Sequence, residues 1–182
     1  MESKPKVVLV TGMQAAGKST IAPLLAARMG PPAATLDGDV FYRGVVAGAE
    51  IMTPEPSPEA VRQLELRYDA SALVAQHYAD AGFDFVCSDI VLGEHVERWF
   101  SRLRGIDPYL VVLVPSVESI VEREIGRGGN NAYRDWGPSV EEGVRALMTS
   151  LDETPRRCLW LDTTGQTPAQ TVDEIDLEKA RW

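Results

Sequence analysis

The chain has 182 residues, 18 of them basic and 27 acidic, for a net charge of −9 at pH 7. That balance argues against a polyanionic nucleic acid as the main partner, because such binding rests on a basic footprint. Apolar residues make up 45% and charged residues 25%, proportions that suit a soluble globular protein long enough for one domain with a sizeable core.

The first element is a short apolar strand, Val7-Val8-Leu9-Val10, which runs into Thr11-Gly12-Met13-Gln14-Ala15-Ala16-Gly17-Lys18-Ser19-Thr20. Gly12, Gly17, Lys18 and Ser19 fit the phosphate-loop pattern G-x-x-x-x-G-K-[ST]. The spacing has a chemical reason. A polyphosphate needs several backbone N–H groups converging on it, and a loop closing onto a helix N-terminus supplies them with the positive end of the dipole. Lys18 adds a mobile charge for the β- and γ-phosphates, and the Ser19 hydroxyl is placed to ligate Mg²⁺. Ile21, Leu24 and Leu25 continue the pattern as a helix. ATP with Mg²⁺ is therefore the expected ligand, held by residues Gly12 to Thr20.

Gly30-Pro31-Pro32 stops that helix, and Ala33 to Leu36 form a second strand ending at Asp37-Gly38-Asp39. A helical piece over Val40 to Val46 precedes a proline-rich connection, Thr53 to Pro58. Ser57 is a fitting N-cap with Pro58 at the first helical position, and Val61, Leu64, Tyr68, Ala72, Ala75 and Tyr78 keep helical spacing up to Gly82. Phe83 to Asp89 read as the third strand, Val96 to Leu103 as the inner face of a helix, and Leu110 to Val114 as a fourth strand. Ser116 opens a helix that passes Arg123 and Arg127 before Gly128-Gly129-Asn130-Asn131. Ser139 and Glu142 have capping-box spacing, Cys158 to Asp162 form the last strand, and Thr167-Pro168 starts the final helix.

Strands alternate with helices throughout. The expected fold is α/β: a three-layer α/β/α phosphate-loop NTPase with a parallel sheet of about five strands and its ligands at the carboxyl ends of the strands. No linker suggests a second domain. No apolar run approaches a membrane span, and Met1 to Lys6 lack signal-peptide architecture, so the expectation is a cytoplasmic protein with no membrane partner. Cys87 and Cys158 lie far apart in apolar runs and read as buried small hydrophobes. His77 and His95 have no partner at metal-ligand spacing and read as surface or packing residues.

Asp37 and Asp39 would lie at the sheet edge from which the phosphate loop projects. Two acids one residue apart suggest divided labour, one holding the metal and the other accepting the proton of an attacking hydroxyl. Asp89, ending the third strand, is a second candidate for metal or substrate contact. Arg123 and Arg127 share a helix face, and with Arg134 they suggest an arginine-bearing lid over about residues 123–138 that closes on the γ-phosphate. Tyr42, Arg43, Leu92 and Arg134, with Asp39 and Asp89, are the candidate acceptor contacts; Tyr133 and Trp136 could add an aromatic wall, but core packing is the more usual fate of either one alone. Asp162-Thr163-Thr164-Gly165, in the last strand-to-helix turn, suits backbone contacts beside the adenine.

These residues resemble the small phosphate-loop kinases in Gly12 to Thr20, in Leu36-Asp37-Gly38-Asp39 and in the helix carrying Arg123 and Arg127. Over most of its length the chain most resembles chloramphenicol phosphotransferase-like proteins. The shared features are an aspartate shortly after the second strand, an acid before Val91-Leu92-Gly93, an R-x-x-x-R lid and a final Asp162-Thr163-Thr164. That resemblance implies that Asp39 is the base for the substrate hydroxyl. Asp89 aligns with the second of two adjacent acids in the family, and the first is Ser88 here. The Leu36 to Asp39 turn also resembles adenylylsulfate and gluconate kinases. The expected activity is ATP- and Mg²⁺-dependent phosphorylation of a small-molecule hydroxyl, on an antibiotic or related natural product. Lys18, Arg123 and Arg127 would neutralise the moving phosphoryl group, and Ser19 and Asp37 would position the metal. A polynucleotide 5′-hydroxyl kinase and a non-catalytic nucleotide-binding module are the alternatives.

Overall fold

β1 (Lys6–Gly12) is the central strand of the structure, a computed structural model that describes residues 4–126, 133 and 135–182. β3 (Asp84–Ser88) pairs with one of its edges and β4 (Asp107–Leu113) with the other. β2 (Ala33–Asp37) lies outside β3, and β5 (Leu159–Leu161) lies outside β4. All four pairings are parallel, giving the order β2-β3-β1-β4-β5. The connections are α1 (Lys18–Met29), α2 (Asp39–Gly44), α3 (Pro58–Asp80), α4 (His95–Phe100), α5 (Val117–Gly126), α6 (Val140–Asp152), α7 (Pro168–Glu174) and α8 (Leu177–Ala180).

The apolar runs of β1, β3 and β4 follow from burial on both faces of the sheet. Successive side chains in a strand point to opposite faces. Val7 and Leu9 accordingly join Phe85, Cys87, Leu110 and Val112 in one cluster with Tyr68, Ala72 and Trp99 of α3 and α4. Val8 and Val10 join Val86, Val111 and Leu113 in the other, with Ile21 and Leu25 of α1 and Val172 of α7. The result is the expected three-layer α/β/α sandwich.

Several helix starts follow side-chain caps, whereas α1, α2 and α4 have none. The Ser57 hydroxyl accepts the Ala60 N–H at 3.0 Å with Pro58 in the first turn, Ser139 accepts the Glu142 N–H at 3.2 Å, and Thr167 and Gln170 form a reciprocal capping box. Several elements differ from the sequence reading; β3 and β5, for instance, are each one residue shorter at both ends. α2 ends at Gly44, because Val45 turns to extended backbone and Val46 is 92% exposed, with no core to bury it. β4 begins three residues earlier than expected, since pairing with β1 continues to Lys6 opposite Asp107. The helix from Thr167 is followed by a further one, α8, whose N-cap Asp176 accepts the Glu178 N–H at 3.0 Å. Past α8 the Trp182 N–H donates to Pro108, so the chain end returns to β4. No described helix is long and apolar enough to cross a membrane.

Candidate active site

The carboxyl ends of β1, β2 and β3 converge on one recess, which Lys18, Ser19, Asp37, Asp39, Asp89 and Ile90 line together. The loop between β1 and α1 is shaped by backbone contacts: Ala16 N–H donates to Met13 at 3.2 Å, and the Thr20 and Ile21 N–H groups both donate to Gly17 at 3.0 Å. Gly12 has φ +137°, and a Cβ there would press on the Leu113 carbonyl of the adjacent strand. Only glycine satisfies both the angle and the approach. Lys18 donates across the loop to the Met13 carbonyl at 2.7 Å. Burial lowers its pKa from 10.5 to about 8; Asp89, Asp39 and Asp37 pull the other way without restoring the ordinary value. Ser19 and Thr20 lie exposed at the start of α1.

Asp37 closes β2 opposite Ser88, and its Oδ1 accepts the Asp39 N–H at 3.0 Å, a turn that opens α2. Asp39 is the first residue of α2 and half-buried, and its carboxylate has no hydrogen-bond or ion-pair partner among the described residues.

Asp89 has a different setting. Its side chain is fully buried and forms a two-point ion pair with Arg67 of α3: Arg67 Nε donates to Oδ2 at 3.1 Å and Nη2 donates to Oδ1. Oδ1 also accepts the Ile90 N–H at 2.7 Å. Burial raises the Asp89 pKa, and Arg67 opposes the rise. Sequence reasoning missed Arg67, which sits 22 residues before its partner on a helix whose other inward residues are mostly apolar. Its guanidinium lies 5.8 Å from the ring centres of both Tyr42 and Tyr68.

Arg123, on α5, reaches the phosphate loop. Nη1 donates to the Ala15 and Ala16 carbonyls at 3.4 Å, and Nη2 donates to Thr163 at 3.3 Å. The turn that holds Thr163 is fixed by Asp162 accepting the Thr164 N–H and by Thr164 accepting the Ser116 N–H. Arg123 thus bridges the two loops expected on either side of a nucleotide. Tyr133 is fully buried, and its hydroxyl donates to the Gln14 carbonyl at 2.6 Å. Trp136 is half-buried.

Arg127 and Arg134 lie outside the described residues. Tyr42 and Arg43 are exposed on α2, whereas Leu92 is 5% exposed and packed in the core, where the adjacent Gly93 N–H donates to Thr154. His95 packs against the Tyr68 ring at 5.4 Å, and His77 lies beside Tyr78. Cys87 is buried as expected, while Cys158, just before β5, is only half-buried with its thiol near the Pro155 carbonyl.

Comparison with known proteins bears on the family and the fold. The family described as chloramphenicol phosphotransferase-like protein matches residues 5–177. A protein of Thermococcus kodakarensis, provisionally named an adenylate kinase, is 26% identical over 170 residues, spanning 93% of this chain and 82% of the relative. Among solved structures, a sugar kinase from Janibacter sp. superposes with a TM-score of 0.65 at 17% identity, covering 93% of this chain and 91% of its own. The Mycobacterium tuberculosis APS kinase in complex with AMPPNP and APS superposes with a TM-score of 0.63 at 21% identity, covering 95% and 96%. At these identities the structural likenesses establish the fold alone.

Proposed function

This chain belongs to the chloramphenicol phosphotransferase-like family of phosphate-loop kinases, and from that premise we propose that it transfers the γ-phosphoryl group of ATP to a hydroxyl of a small organic molecule, an antibiotic or related natural product. The observation that carries the reading is the Asp39 carboxylate sharing one recess with Lys18 and Ser19. The acceptor oxygen attacks the γ-phosphorus, the bond to the bridging oxygen of ADP breaks, and the hydroxyl proton passes to Asp39. Lys18 supplies charge to the phosphates, and Arg123 reaches the loop from the other side.

Mg²⁺ suits the donors present. Ser19 and Asp37 offer hard oxygens beside the loop, and among the described residues no three His, Cys, Asp or Glu side chains could hold a metal by themselves. Such a donor set fits an ion shared between one or two protein oxygens and substrate phosphates. When bound, the ion neutralises charge on the phosphate oxygens; Ser19 and Asp37 would hold it, and Asp39 remains available as base.

The test is a panel of candidate acceptors assayed for ADP release, with Asp39→Asn beside the wild type. ATP affinity should be nearly unchanged in the variant, with turnover reduced by roughly 10²–10⁴-fold. Near-normal turnover removes Asp39 from the role, and turnover only with highly charged sugars counts against a natural-product acceptor.

A further inference from the structure

The buried pair between α3 and the end of β3 plays no part in the chemistry above, yet it lies directly under the base-bearing turn. Gly38 is buried, and a Cβ built on it would fall on the Asp89 carboxylate, with the Asp89 Cβ only 2.9 Å away. The Asp89 carboxylate therefore fills the space in which a side chain at residue 38 would sit. The Gly38 N–H donates to Ser88 at 2.8 Å, so the turn is sutured to β3 one residue before Asp89. From the other side Arg67 grips Asp89 through two nitrogens and lies beside the ring of Tyr42, three residues after Asp39 on α2. Arg67 thus meets α2 at two places: at its start through Asp89 and Gly38, and one turn later through Tyr42.

We propose that Arg67 and Asp89 are a positioning pair that fixes the Asp37-Gly38-Asp39 turn, and with it the Asp39 carboxylate, against the phosphate loop. The inference rests on the reading of Asp39 as base. Asp89 is then a strut and not a metal ligand. One oxygen is taken by Arg67 and the Ile90 N–H, and the other is taken by Arg67 and covered by Gly38. Turning toward an ion would release Arg67 and empty the floor of the turn. Ser19 and Asp37 are left as the metal-facing oxygens. Lysine is no substitute for Arg67, because an ammonium cannot hold both carboxylate oxygens in one plane.

A purely structural ion pair makes a different prediction. Replacing a buried pair as a unit by apolar residues is often neutral for stability, whereas removing one partner strands a charge. Arg67→Met and the double variant Arg67→Met/Asp89→Leu separate the two roles, and the double variant carries the test if the single one fails to fold. Two readouts are taken on the full chain: amide hydrogen exchange at Gly38 and Asp39, and steady-state kinetics with an acceptor from the panel. Exchange at both amides should be at least about tenfold faster than in wild type in the double variant, even where its unfolding midpoint matches. kcat should fall roughly 10–100-fold with the KM for ATP nearly unchanged, the mark of a displaced base. Arg67→Lys should recover little of the lost kcat. Asp39→Asn should lose kcat while exchange at Gly38 stays as in wild type. A double variant with wild-type exchange at both amides and wild-type kcat overturns the proposal. Normal turnover in Asp39→Asn alongside fast exchange in the Arg67 variants removes the base and leaves the hold on the turn standing.

Discussion

The Tyr133 hydroxyl donates a 2.6 Å hydrogen bond to the Gln14 carbonyl, from a ring with no exposed surface. A residue beyond α5 is thereby tied to the phosphate loop. Room for it comes from α6, where a Cβ on Gly143 would lie 2.6 Å from the Tyr133 carbonyl oxygen. Loop shape and the packing of α6 are linked through this one residue, its hydroxyl on the loop and its backbone against α6.

Tyr133→Phe keeps the ring and removes the bond. The Gln14 carbonyl loses its partner, which should cost about 1–2 kcal/mol of stability in urea unfolding. ATP titration should show affinity weakened roughly 3–10-fold, since each 1.4 kcal/mol is a factor of ten. An unaltered ATP affinity would mean the loop keeps its shape without Tyr133.

Lys18 gives two pH effects of opposite sign. Its folded pKa of about 8 lies below the ordinary 10.5. Between those values the unfolded chain binds more protons than the folded one, so the stability of the free protein should rise with pH across that window. Phosphate favours the ammonium form, so affinity for ATP measured without metal should be flat below pH 8 and fall above it. Calorimetric titration from pH 7 to 9.5 checks this, and Lys18→Met should lose both the affinity and its slope.

Gly12→Ala combines a left-handed backbone angle with a Cβ driven against the Leu113 carbonyl. The expected loss is about 2–4 kcal/mol, the sum of backbone strain and overpacking. Thermal unfolding reads it. A variant that retains wild-type stability would require β1 and β4 to separate locally, visible as faster exchange along β4.

Arg123→Ala removes three hydrogen bonds that are long, at 3.3–3.4 Å. Stability should change by only about 0.5 kcal/mol. The effect belongs instead in nucleotide handling: an increase in the KM for ATP of roughly tenfold, with kcat also reduced if Arg123 touches the moving phosphoryl group. A large stability loss with normal ATP kinetics would make Arg123 a structural clamp between the two loops.

What the sequence made legible is local. The loop from Gly12 to Thr20 and the caps Ser57, Ser139 and Thr167 are each decided within a few residues, and each is found where its pattern places it. The Asp37-Gly38-Asp39 turn was legible because it follows an apolar strand directly. Arg67 was not, since its partner is Asp89 and the pairing exists only once α3 lies across the sheet. The same distance explains Asp89, whose position at a strand end suggests an open carboxylate while the fold buries it under a guanidinium. Leu92 is similar: an apolar residue beside the site can face a ligand or the core, and here it packs in the core. α8 escaped because four residues are too few to show a period, and only its return to β4 gives it a place.

The strand order has a consequence for how the chain is made. β1 emerges from the ribosome before both of its neighbours, β3 and β4, which end about 75 and 100 residues later. At roughly 5–20 residues per second, Val7 to Val10 wait on the order of 5–20 seconds before both edges of their strand can be paired. For that interval a wholly apolar stretch of the nascent polypeptide lacks its full set of partners and is open to a holding chaperone.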